Sequence, residues 1–157
     1  MNRGIKHIII HCADTPNGRK TTATDIDSWH KERGFKRADD FRQRQEFRLG
    51  SIGYHFVIGI NGALWNGRHA DEVGAHARRY NSHSIGICMV GRDKFTAEQW
   101  ETLKFNVKAQ LRKYPQAEVI GHREVNPKKT CPGFDVKAWL ENDMKPDPKN
   151  ILEKIDA

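Results

Sequence analysis

The chain has 157 residues, 37% apolar and 30% charged, which fits one soluble globular domain and excludes a disordered chain. No apolar run approaches the ~20 residues that a membrane-spanning helix needs. The net charge of +7, from 27 basic and 20 acidic residues, favours a polyanionic partner: nucleic acid, a phospholipid surface or an anionic cell wall.

In chain order, Met1-Asn2-Arg3-Gly4 leads directly into the apolar residues 5–10. That stretch is too short and too interrupted for a secretory signal, and no small-residue cleavage site follows. A protein without signal peptide or membrane anchor, cytoplasmic until something releases it, is therefore expected. Ile5 to His11 reads as a central strand buried on both faces. Pro16-Asn17-Gly18 marks a loop. Thr24 is the expected N-cap of a helix over residues 25–33, which Gly34 would end. Residues 54–60 form a second expected strand, and Asn61-Gly62 is a hairpin turn that would return residues 63–66 antiparallel. A third strand is expected over 84–90.

Thr96 and Gln99 make a capping box, after which Trp100, Leu103, Val107 and Leu111 share one helical face up to Pro115. Residues 118–121 read as a short strand and 135–142 as a short helix. Strands alternating with helices predict the α/β class: a single domain with a central mixed β-sheet flanked by α-helices. The domain is expected to span residues 1–142, with a polar tail at 143–157 that contains Pro146 and Pro148. Phe35 to Gly50 interrupts the pattern, setting Lys36, Arg37, Arg42, Arg44 and Arg48 against Asp39, Asp40 and Glu46. Its simplest reading is a solvated insertion. The alternative is a basic arm beside the active site that touches an anionic substrate or partner.

Cys12, Cys88 and Cys131 are an odd set in a chain without an export signal, so a thiolate ligand or buried thiols are expected rather than disulfides. His11 closes the first strand, His122 follows the strand at 118–121, and Cys131 sits in a Lys-Thr-Cys-Pro-Gly loop. Imidazole and thiolate both suit zinc, and three protein ligands with one open position describe a catalytic site. Spacing alone leaves ordinary structural histidines as the commoner reading, because only a fold could unite residues so far apart.

The motifs His11-Cys12, Gly53-Tyr54-His55-Phe56, His76-Ala77 with Tyr80-Asn81 and Ser84-Ile85-Gly86-Ile87-Cys88, and His122-Arg123-Glu124-Val125 leading to Cys131-Pro132-Gly133-Phe134-Asp135 occur in one order. Together they resemble the type 2 N-acetylmuramoyl-L-alanine amidases, a superfamily shared with peptidoglycan recognition proteins. The likeness is to small single-domain bacteriophage amidase endolysins, and it runs from about residue 5 to 140, apart from the insertion. The resemblance implies one Zn2+ per chain, held by His11, His122 and Cys131 in a groove at one side of the sheet. It makes Tyr54 and Lys129 catalytic, and gives His76 and Asn81 contact with substrate. The implied reaction is zinc-dependent hydrolysis of the amide between N-acetylmuramic acid and the first L-alanine of the stem peptide.

The partner would be peptidoglycan, not nucleic acid, and a monomer released through a separate holin-like pore is expected. His7 reads as a neighbour of the site or a surface group, and His30, His55, His69 and His83 as structural or solvent-facing. Arg123 and Glu124 are open between tuning the site and ordinary surface charge. The competing reading is a peptidoglycan-binding module without turnover. Its members typically lose the cysteine ligand, so retention of Cys131 argues for catalysis.

Overall fold

Ile8, Ile9 and Ile10 are β-branched and fully buried, and they form the middle of β1 (His7–Cys12). A computed structural model, which describes residues 3–153, pairs this strand in parallel on both sides. On one side lies β4 (Ser84–Met89), with His11 opposite Cys88, and on the other β5 (Glu118–Gly121), with Ile10 opposite Gly121. β2 (Phe56–Ile58) pairs in parallel with β4 and antiparallel with β3 (Leu64–Asn66), giving a mixed five-stranded sheet in the order β3-β2-β4-β1-β5. The Asn61-Gly62 turn thus makes the expected hairpin. The second strand is shorter than residues 54–60, with a bend at His55 just before it and Tyr54 on the groove described below.

Strand alternation divides the core. Ile8, Ile10, Ile85, Ile87 and Ile58 face one layer, where Trp100, Leu103 and Val107 of α3 (Ala97–Lys113) meet Val136 and Trp139 of α5 (Val136–Glu141). Each such side chain contributes roughly 1.5–3 kcal/mol by leaving water. Thr96 caps α3 through a reciprocal pair with Gln99, as the sequence predicts. The opposite face of the sheet carries Val57 and Cys88, over which Ala23 and Ile26 of α1 (Ala23–Glu32) and the segment around Leu49 and Ile52 close, and His11 and Ile9, the latter packed on Ala77 and Ile120. Among the described residues, no helix is long and apolar enough to cross a membrane.

The cap of α1 is Thr22, not Thr24. Thr22 and Asp25 form the reciprocal box, with the Thr22 N–H donating to the Asp25 carboxylate at 2.8 Å and the Asp25 N–H to Thr22 Oγ1 at 3.2 Å. Thr24 also has an acid three residues on, but Asp27 instead accepts the Ser51 and Ile52 N–H groups at 2.7 Å. Beyond α5, Asn150 is buried: its carbonyl accepts the Trp100 Nε1–H at 3.1 Å, and Ile151 bridges to Phe95.

The basic insertion is not uniformly solvated. It holds α2 (Asp39–Arg44), and Arg37 just before it is 1% exposed. The Arg37 guanidinium donates to Glu72 at 2.9 Å and to the carbonyls of Gln45, Glu46 and Leu49 at 2.8–3.0 Å. Arg37 therefore ties the insertion to the sheet side of the molecule and is no surface cation, whereas Lys36 and Arg48 are exposed. Arg37→Ala is expected to cost about 3–5 kcal/mol in urea unfolding, because it breaks a buried ion pair with Glu72 and removes the donor to three carbonyls. Arg48→Ala should stay within about 0.5 kcal/mol. A loss below ~1 kcal/mol for Arg37→Ala would contradict this account.

Candidate metal centre and groove

Because β1 and β5 run in parallel and in register, their C-terminal ends meet at the same edge, where ligands of open α/β sheets bind. His11 lies at the end of β1, and His122 opens α4 (His122–Val125) directly after β5. Their ring centroids are 4.5 Å apart. The Glu124 carboxylate accepts the Gly121 N–H and so fixes the entry to α4. Cys131 is brought in by two backbone contacts. Its carbonyl accepts the Arg123 N–H at 2.8 Å, and its Sγ accepts the Cys12 N–H at 3.1 Å. Glycine at 121 makes room for this loop, since a Cβ there would stand 2.8 Å from Pro132.

The ligand atoms of His11, His122 and Cys131 lie within 4.8 Å of one another. Around a tetrahedral zinc such atoms sit roughly 3.5 Å apart, so shifts of about an ångström close the set. Burial pushes His11 well below the usual imidazole range, helped by His122, and burial also lowers His122, next to Lys129. Both rings are neutral with a lone pair to offer. The Cys12 contact and burial push the Cys131 thiol up, so proton loss at this sulfur calls for a bound cation. Two neutral imidazoles and one thiol, open on one side, fit a catalytic zinc.

His76 stands behind His11. Its Nδ1 is 2.8 Å from His11 Nε2, and its Nε2 is 3.2 Å from Ser84 Oγ. Neutral rings admit two senses: either His11 Nε2–H donates to His76 Nδ1 and His76 Nε2–H to Ser84 Oγ, or the donors run the other way, and only the first leaves the Nδ1 lone pair of His11 free. Both nitrogens of His76 are thus engaged within the protein, although the ring borders the groove. Asn81 likewise spends its Oδ1 on the loop, accepting the His76 and Ala77 N–H groups at 2.8 Å. Neither role is legible in sequence, because both depend on loops folding back over β4.

The groove over this cluster has a volume of about 470 Å³, and Tyr54, Lys129, Arg33, Arg78 and His30 also line it. The Tyr54 ring rests on His11, with centroids 5.1 Å apart. Burial, with Cys88 and Cys131 nearby, holds its hydroxyl well above the ordinary phenol range. Lys129 is exposed on the rim, near enough to depress His122. His30, expected to be structural or solvent-facing, is buried yet lines the groove; only its place beside Tyr54 in three dimensions reveals this. His7, by contrast, packs on Tyr80 and His83 away from the cluster, and His55 is a core group bonded to Gly86 and Glu72.

A family model described as N-acetylmuramoyl-L-alanine amidase matches residues 1–134. The endolysin of Escherichia phage T7 is 37% identical over 142 residues, which cover 85% of this chain and 84% of that protein. Peptidoglycan-recognition protein LB of Drosophila melanogaster is 31% identical over 151 residues, covering 85% of this chain and 58% of that protein. Among solved structures, the endolysin N-acetylmuramoyl-L-alanine amidase LysCS from Clostridium intestinale superposes with a TM-score of 0.72 at 26% identity, over 92% of this chain and 87% of that one.

The histidine pair makes one residue of β4 critical. A Cβ on Gly86 would stand 2.6 Å from His76 Cγ, the root of the ring rather than a flexible tip. Gly86→Ala should cost about 1–3 kcal/mol by overpacking and break the His11–His76 bond. Denaturant unfolding reads the first effect and imidazole nitrogen NMR the second. Wild-type stability with unchanged histidine resonances would refute the packing argument.

Proposed function

This chain belongs to the N-acetylmuramoyl-L-alanine amidase family, and on that premise we propose that it holds one zinc ion with His11, His122 and Cys131 and hydrolyses peptidoglycan at the amide between N-acetylmuramic acid and L-alanine. The observation that carries this reading is the convergence of two imidazoles and a thiol within 4.8 Å at the floor of a groove. When bound, the ion supplies Lewis-acid polarisation of the amide carbonyl and lowers the pKa of water. The chain's own residues do the rest. His76, 2.8 Å from His11 Nε2, takes that nitrogen's proton as acceptor, so that His11 offers the ion its Nδ1 lone pair. Lys129, a fixed cation on the rim, stabilises the negative charge that develops on the amide oxygen. Tyr54 keeps its proton near neutral pH and so donates a hydrogen bond rather than acting as a base. Asn81 maintains the loop that carries His76.

The similarity to phage endolysins supports lysis of a bacterial wall as the biological outcome. Purified sacculi treated with the protein should release stem peptides with a free L-alanine amino terminus, read by mass spectrometry. Binding without release, or fragments from glycosidic cleavage, would overturn the assignment.

Elemental analysis should give one zinc per chain, and chelation should abolish release until zinc is restored. Cys131→Ser should bind zinc far more weakly, since an alcohol does not ionise as a thiol does beside a metal. Lys129→Ala should lower kcat by roughly 10²–10³ with little change in KM. Unaltered turnover in that variant removes Lys129 from the mechanism.

A further inference from the structure

Cys12 is a buried nucleophile that the proposed mechanism leaves unused. It closes β1 one residue after His11, and strand alternation turns its side chain to the other face of the sheet, into the layer of Ile8 and Ile10. Its sulfur is therefore outside the set of ligand atoms formed by His11, His122 and Cys131. Cys88, the strand partner of His11, lies in the opposite layer with Val57 and Ile52. All three thiols are free.

Cys131 spans the boundary between these surroundings. It belongs to the metal cluster on the groove and also packs against the core that holds Cys12. The Cys12 N–H donates to Cys131 Sγ at 3.1 Å, and Cys131 Sγ–H faces the Cys12 carbonyl at 3.8 Å. The two thiols are themselves in hydrogen-bonding contact. These contacts join positions 119 residues apart, so the tertiary fold holds the sulfurs together. A disulfide bond is ~2.0 Å long, and closing it from contact asks for side-chain rotation rather than a rearranged sheet.

We propose that Cys12 and Cys131 form an oxidative modification site, a thiol pair that a peroxide closes to a disulfide and that bound zinc holds open. Cys131 is the less buried of the two and reacts first. Its sulfur attacks one peroxide oxygen and the O–O bond breaks. The thiol proton leaves with the other oxygen as water, giving a sulfenic acid. Cys12 Sγ then attacks that sulfur, the S–O bond breaks, and the hydroxyl takes the Cys12 proton to leave as a second water. The pair loses two electrons, which the peroxide gains. The sulfur that would bind the ion is the one bonded in the disulfide, so metal binding and cross-link exclude each other.

The competition with metal rests on the zinc reading, and the experiment keeps the two apart. Full-length protein, either metal-free or with free zinc at about ten times its dissociation constant, is treated with hydrogen peroxide. Metal-free protein should fall from three titratable thiols to one and lose two hydrogens in intact mass. Its digest should yield one linked pair of peptides, carrying Cys12 and Cys131. Zinc at that level leaves about one molecule in eleven metal-free, so cross-linking should slow about tenfold. Dithiothreitol should restore all three thiols and zinc binding.

Cys12→Ala keeps the backbone N–H that meets Cys131 Sγ and should bind zinc as the wild type does. Under peroxide its Cys131 has no resolving partner and goes on to sulfinic acid, so dithiothreitol no longer restores zinc binding. Cys88→Ala should cross-link like the wild type. A link that includes Cys88, a link between chains, or sulfinic acid at Cys131 of metal-free wild type in place of the link overturns the proposal. The wild-type peptide map decides this even if a variant fails to fold. An undiminished rate in protein shown to have bound zinc also overturns it. Wild-type protein that takes up no zinc yet forms the link would instead overturn the metal reading.

Discussion

β1 is hydrogen-bonded on both edges and covered on both faces, and nearly every feature of the site inherits its position from that constraint. Parallel pairing with β5 brings His11 and the start of α4 to one edge, so the two imidazoles converge without any local sequence relation. Pairing with β4 sets His11 opposite Cys88 and Ile9 opposite Gly86. The missing side chain at Gly86 opens the slot in which His76 stands against His11. The strand thus fixes the ligand and its neighbour through the same register.

Polar groups beneath the groove form a second layer of support. His55 accepts the Gly86 N–H at Nδ1, and its Nε2 meets the Glu72 carbonyl at 2.8 Å. Asn81 binds the backbone that presents His76, and Arg3 donates to the carbonyls of Ala70 and Asn81. Arg68 donates to Ile52 and Val73, while Glu72 takes Arg37. Each buried donor or acceptor left unmade would cost about 1–3 kcal/mol, so the network specifies one arrangement of the loops.

These contacts also change the meaning of the net charge. Arg37 and Arg68 are buried and spent on the scaffold, so the sequence total overstates the field available to an anionic wall. The cations that border the groove are Arg33, Arg78 and Lys129, and they come from three separate segments. Their convergence, rather than the arginine-rich insertion, makes the working face basic.

Much was legible in sequence because it follows from local physics. The isoleucine run of β1, the Asn61-Gly62 hairpin and the Thr96–Gln99 box each carry their cause within a few residues, and the α/β class follows from their alternation. The motif order, matched to a family, named the three candidate ligands before any fold was known. Tertiary structure alone decided the rest, for one reason: a side chain's role depends on which of its atoms remain unpartnered. His76 and Asn81, read from sequence as substrate contacts, line the groove and also bond within the protein, while His30, read as structural or solvent-facing, is buried on the groove wall. Arg37 looks like a surface cation in sequence, and its four acceptors lie 8 to 35 residues away along the chain. Only the folded backbone brings those oxygens to one point.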